Sequence, residues 1–144
     1  MQIVHISAEC YPVAKVGGLA DVVGALPKYQ TSLGHHVKVI MPMHHTPFLL
    51  NHQWEEVYEN RLEFKGNSLH FKIVKEQKDT LGFELHCIQV EGYFDRPNVY
   101  GYHDDSNRFL VFQLAFVKWL STWSTNPDLI HVHDYHAGLI PFLM

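Results

Sequence analysis

The sequence is short of cysteine, of basic charge and of long apolar runs, and each shortage removes a class of protein. Only Cys10 and Cys87 occur in 144 residues. They are far apart and form no CxxC pattern, so a disulfide framework is excluded and reduced thiols in a cytoplasmic protein are expected. Eleven Lys and Arg stand against fifteen Asp and Glu, a formal charge of −4. No basic stripe exists, and nucleic acid is not an expected partner. The longest apolar stretch, Phe109 to Leu120, is broken by Gln113 and Lys118. It is too short to cross a bilayer, Met1-Gln2 leads straight into a strand-like run rather than a signal peptide, and no membrane contact is expected. Neither GxGxxG nor GxxxxGK[ST] occurs. Ser7 has no GxSxG context, which leaves nucleophilic hydrolase chemistry unsupported. Repeats and low-complexity linkers are also missing.

What is present is globular. Apolar residues make up 47% and charged residues 18%, enough for one domain over residues 1–144 with a real core. Twelve histidines are expected to leave the net charge sensitive to pH between about 5 and 7. Residues 2–7 read as a strand. A loop from Ala8 to Gly18 follows, then a helix carrying Leu19, Val22, Val23, Leu26 and Leu33 at helical spacing, with Asp21 in its first turn. Pro27 should kink that helix or start a second one, and Gly34 should end it. Val37–Met41 is the next strand, closed by Pro42, and this βαβ order argues for a parallel sheet.

Trp54–Phe64, Leu69–Val74 and Phe83–Val90 read as strands around turns at Gly66-Asn67 and near Asp79–Gly82, an antiparallel excursion within the parallel sheet. After a polar, aromatic loop from Gly92, one of Asp104, Asp105 or Ser106 should cap a buried helix reaching about Trp123. Leu129–His133 is a further strand, and Asp134 is the expected cap of a helix opening at Tyr135. The chain ends in the apolar run Ile140–Met144, which predicts a piece of a longer protein and self-association through Leu139–Met144.

Four constellations carry chemistry. In Lys15-Val16-Gly17-Gly18-Leu19-Ala20-Asp21, two glycines before a helix allow backbone N–H groups to approach an anion. The helix end adds partial positive charge and Lys15 a full one. The alternative is a plain glycine-rich turn with a solvated lysine. His131-Val132-His133-Asp134-Tyr135-His136 is dense enough for a metal site. Its aspartate, however, sits one place earlier than in the metallo-hydrolase spacing HxHxDH, so a cap with packed histidines, or a polar site for a substrate hydroxyl, remains open. Glu9 is usually the kind of residue that faces solvent. Like the Lys15–Gly18 turn and His133–His136, though, it follows a strand end, where open parallel sheets bind ligands. Tyr93-Phe94-Asp95-Arg96-Pro97, with Tyr100-Gly101, offers either an Asp95–Arg96 pair ordering the loop or an aromatic wall for sugar rings.

At these residues the sequence resembles the bacterial glycogen synthase and plant starch synthase family. The segments Lys15–Pro27, Ser7–Pro12, Tyr93–Arg96 and His131–His136 resemble its blocks in order; residues 43–90 match no motif. The resemblance implies the Rossmann-like N-terminal half of a two-domain, GT-B type glycosyltransferase. Such an enzyme moves glucose from ADP-glucose to the non-reducing end of an α-1,4-glucan with retention, using no metal or cofactor. It implies Lys15, Gly17 and Gly18 at the ADP-glucose phosphates and Glu9, Asp21, Phe94 and Tyr135 in the glucose and acceptor region. Asp134 and His136 are the implied catalytic residues. Tyr135 stands where the family usually has Trp. The C-terminal domain that reads the nucleotide base is not in the sequence, so the chain alone is expected to be inactive. Another two-domain nucleotide-sugar transferase and a non-catalytic glucan-binding module are the alternatives.

Overall fold

The computed structural model describes residues 1–144. Strands are β1 (Gln2–Ile6), β2 (His36–Pro42), β3 (Trp54–Phe64), β4 (Asn67–Glu76), β5 (Glu84–Gln89) and β6 (Leu129–Val132); helices are α1 (Gly18–Ser32), α2 (Pro47–Asn51), α3 (Asp105–Leu120) and α4 (Ile140–Leu143). The strands form one sheet in the order β3-β4-β5-β2-β1-β6. Neighbours among β5, β2, β1 and β6 pair parallel, while β3–β4 and β4–β5 pair antiparallel. This is the α/β fold, with its antiparallel excursion, that the patterning predicts.

Alternate side chains of a strand face opposite sides, and both sides of the central strands are covered. Val4, Ile6 and Ile40 pack with Val111, Phe112, Ala115 and Phe116 of α3. Ile3, Val37, Val39 and Leu85 pack with Val23 of α1. Burial on two faces is why these strands are continuous apolar runs rather than alternating ones. β3, an edge strand, is mostly exposed and carries Glu55, Glu56, Glu59, Arg61 and Glu63, charges that oppose pairing with another chain. No helix is long and apolar enough to cross a membrane. Both cysteines are free and buried.

Several local expectations are corrected. Pro27 neither kinks nor restarts α1, which runs unbroken with Pro27 buried inside it. A proline lacks the N–H that would bond the carbonyl four residues back, and here the Cys10 thiol donates to that Val23 carbonyl instead (3.6 Å). The hairpin turn lies at Lys65-Gly66, both with positive φ (49° and 79°), one residue before the predicted position. Two positive-φ residues match the right-handed twist of the flanking strands. The unanticipated α2 is capped by Thr46, whose hydroxyl accepts from Leu49 N–H (3.5 Å). Asp134 caps no helix. Its φ is 64°, whereas a cap needs extended backbone, and turns lead to the short α4. Asp104 precedes α3 without capping it through its side chain.

Candidate functional site

α1 connects β1 to β2 across one face of the sheet, and α3 connects β5 to β6 across the other. The strand order therefore reverses direction at β1 and β6, and the crevice at their carboxyl ends is where open α/β sheets place ligands. The loops after β1, β2 and β6 emerge there. The 90–104 connection folds over the same edge, with His45 N–H donating to the Arg96 carbonyl (3.0 Å).

The glycine turn sits at this edge. Gly17 precedes α1 with extended backbone (φ −148°), and no side chain caps the helix. A Cβ built at Gly17 or Gly18 meets nothing within 4 Å. Neither conformation nor crowding therefore demands glycine in this state; what the two glycines leave is open approach to the N–H groups of a helix start, the arrangement that binds anions. Lys15 Nζ stands beside it, held by both oxygens of Asp21 (2.8 and 2.9 Å). That pairing, through direct hydrogen bonding, raises the pKa of Lys15. Glu9 is buried rather than facing solvent, and its carboxylate accepts Val16 N–H (2.9 Å), which fixes the start of the turn.

Tyr100 joins this turn to the histidine-flanked aspartate. It lines a cleft of about 280 Å³ with Lys15, Val16, Thr46, Asn98 and Val99. On its other side it stacks on His136, ring centroids 4.7 Å apart. Its pKa is raised by burial and then by the negative charges of Glu9, Tyr135, Asp134 and Asp105, so these acidic groups share one neighbourhood. His136 is buried against Tyr100, Phe109 and Tyr135. Burial lowers its pKa, opposed by Asp134 and Asp105, and its Nδ1 has no hydrogen-bond partner in the protein. Asp134 is exposed in left-handed backbone, a conformation that costs of order 1 kcal/mol and that surrounding structure must hold. Its Oδ1 accepts Tyr135 N–H (2.7 Å). His44, buried, bonds the Ala8 carbonyl (2.9 Å) and ties the β2 loop to the β1 loop.

The edge thus gathers Glu9, Lys15, Gly17, Gly18, Asp21, Asp134, Tyr135 and His136. Phe94 is corrected: it is fully buried in the α3 face of the core, edge-on to Phe112 (6.2 Å), and cannot present its ring to a sugar. The Asp95–Arg96 pair is also corrected. Arg96 holds Asp104 with two hydrogen bonds (2.6 and 2.8 Å), a fork geometry that Asp95 next door cannot supply. Asp95 accepts Gly92 N–H instead (2.7 Å). His131 and His133 share a face, as alternate residues of a strand do, but they turn to His5 rather than to the Asp134–His136 group.

Sequence reasoning passed over His44 and Arg108. Arg108 is wholly buried, donating to the carbonyls of Tyr93 and Val99 and to Asp105, so it anchors the loop that carries Tyr100. No local motif marks either residue; only the fold brings their partners together. Thr46-Pro47, a capping residue before proline, is the signal that would have found α2.

A larger groove, about 570 Å³, runs past Arg61, His70, Lys72, Glu91 and Asp95. Lys72 is already paired with Glu56, Arg61 is hydrogen-bonded to the Ser68 hydroxyl and carbonyl, and the groove has no helix start. The smaller cleft at the switch point is the better site.

Comparison with known proteins agrees with this architecture. The starch synthase catalytic domain family matches residues 2–144. A glycogen synthase of Flavobacterium johnsoniae is 51% identical over 144 residues, all of this chain and 30% of the relative. One from Streptococcus equi subsp. equi is 40% identical over 145 residues, again all of this chain and 30% of the relative. The solved catalytic domain of starch synthase IV from Arabidopsis thaliana, bound to ADP and acarbose, superimposes with a TM-score of 0.82 at 32% identity, over 96% of this chain and 29% of that one. The fold is that of part of a starch synthase catalytic domain. The chain belongs to the starch synthase catalytic domain family, and it spans about 30% of the length of the curated relatives it matches.

Proposed function

We propose that this chain is the N-terminal domain of a cytoplasmic glycogen synthase, which moves glucose from ADP-glucose to the non-reducing end of an α-1,4-glucan with retention of configuration. The observation that carries this reading is the juxtaposition through Tyr100 of the open glycine turn and the Asp134–His136 loop. The Arabidopsis relative, bound to ADP and acarbose, supports a nucleotide and a glucan-like sugar as ligands.

Lys15, Gly17 and Gly18 take the diphosphate. As the sugar–phosphate bond breaks, negative charge grows on that leaving group. Preorganised N–H groups, the helix end and an ammonium group then stabilise the transition state more than the bound substrate. The diphosphate competes with Asp21 for Lys15 and frees the Asp21 carboxylate for sugar hydroxyls. Glu9 keeps the turn shaped, and Asp134, Tyr135 and His136 line the glucose and acceptor side, His136 with an unused ring nitrogen. No metal or cofactor is required by this scheme. The second domain, in cis, supplies the contacts to the base, so the 144-residue chain by itself transfers no glucose and binds ADP weakly. Two buried free thiols fit a reducing compartment.

In the full-length protein, Lys15→Ala is expected to lower kcat by about 100- to 1,000-fold, as loss of one donor at a developing anion does, with little change in glucan binding. Steady-state assays with ADP-glucose and with UDP-glucose test both the residue and the donor. A wild-type rate in the variant removes Lys15 from the site, and preference for UDP-glucose overturns the donor assignment.

A further inference from the structure

We propose that His5, His131 and His133 form a binding site for one divalent transition-metal ion of the zinc class, independent of the sugar-transfer reading. The pairing register makes it. His5 of β1 and His131 of β6 are direct partners in the parallel ladder, and His133, two residues on, falls on the same side. The rings gather closely: 5.1 Å between His5 and His131, 5.2 Å between His5 and His133, and 4.0 Å between His131 and His133. One nitrogen of each lies within 4.8 Å of the other two. Imidazole nitrogens at about 2.0–2.1 Å from a tetrahedral zinc stand about 3.3 Å apart, so small side-chain rotations close the three onto an ion.

The hydrogen bonds already orient the ligands. Gln30 Oε1 lies 2.7 Å from His5 Nε2. A carbonyl oxygen only accepts, so the His5 proton is on Nε2 and its Nδ1 carries the lone pair. The 2.9 Å contact from His5 Nδ1 to His133 Nε2 then places a proton on His133 Nε2. A metal ion takes the place of that proton: His133 shifts it to Nδ1 through solvent, and both facing nitrogens offer lone pairs with no net release. The His5–Gln30 bond is the outer hydrogen bond that metal-binding imidazoles characteristically make. Three imidazoles without a carboxylate favour zinc, nickel or copper over magnesium or calcium. His131 is half-exposed and gives the ion access, with water in a fourth position. The ion would fasten β1 to the edge strand β6, one residue before Asp134.

The test is calorimetric titration of the metal-stripped 144-residue chain with zinc chloride and with nickel chloride, plus cobalt absorption spectra. One ion per chain is expected. His131→Gln should abolish that stoichiometric step with the circular dichroism unchanged, and Gln30→Leu should weaken it about 10- to 100-fold. His45→Gln, at an exposed histidine off the cluster, should leave it intact. Should His131→Gln not fold, the ring-nitrogen resonances of the unmodified chain decide: His5 Nδ1 and His133 Nε2 must shift on adding zinc. Failure to bind, a step that survives His131→Gln, or shifts confined to exposed histidines overturns the proposal.

Discussion

Gly17 and Gly24, seven residues apart, show how one residue type serves two purposes. Added to Gly17, a Cβ meets open space; added to Gly24, it collides with the Tyr11 carbonyl. The second glycine lets α1 press against the loop whose Tyr11 N–H donates to the Ala20 carbonyl (2.9 Å). Gly24→Ala gains helix propensity, about 1 kcal/mol, but forces backbone apart at a typical cost of 1–3 kcal/mol. Chemical denaturation is expected to show a net loss. Gly17→Ala should leave the unfolding midpoint unchanged or raise it, while activity of the full-length enzyme falls. If Gly17→Ala unfolds the chain, the turn is a structural device and not an anion site.

At the level of elements, the legible parts were those that local physics decides. Ile3–Ile6 and Val37–Met41 are buried on both faces, so their apolar runs announce strands whatever lies next to them. Gly17-Gly18 before a helical pattern announces an open helix start. The misread parts depend on partners distant in the chain. Pro27 is tolerated because the Cys10 thiol reaches Val23, and nothing around residue 27 reveals that. Phe94 resembles a surface aromatic until α3 covers it. Arg96 chooses Asp104 over Asp95 because the loop curls back to α3, and Asp134 adopts left-handed backbone that a capping rule does not foresee. The site residues on the turn were therefore readable as types, while the bridge through Tyr100 needed the fold.

For the molecule as a whole, histidine burial changes the expected response to pH. His5, His44, His86, His133 and His136 are buried, and burial lowers the pKa of each; His44, His86 and His133, lowered to about 4, 3 and 4, do not join the titration expected between pH 5 and 7. Their contribution appears in stability. His44 is lowered to about 4 and His86, desolvated and facing the charges of Lys38 and Lys75, to about 3. Below about pH 6.5 the unfolded chain takes up protons that the folded chain refuses. Stability is therefore full above that pH and declines as pH falls toward 4 and 3. For His44 alone the loss is on the order of 3 kcal/mol. Urea unfolding at pH 7, 6, 5 and 4.5 should show this decline, and His86→Leu should make it shallower. A stability that is flat over this range, or that rises in acid, contradicts the assignment.

The most direct test of the account titrates the 144-residue chain with ADP-glucose and follows backbone amide resonances, which register weak binding. The amides of Val16, Gly17, Gly18 and Leu19 should move together with those of Asp134–Ala137, and the changes should collapse in Lys15→Ala. Shifts gathered instead along the Arg61–Lys72 groove, or no shifts at the glycine turn at saturating ligand, would contradict it.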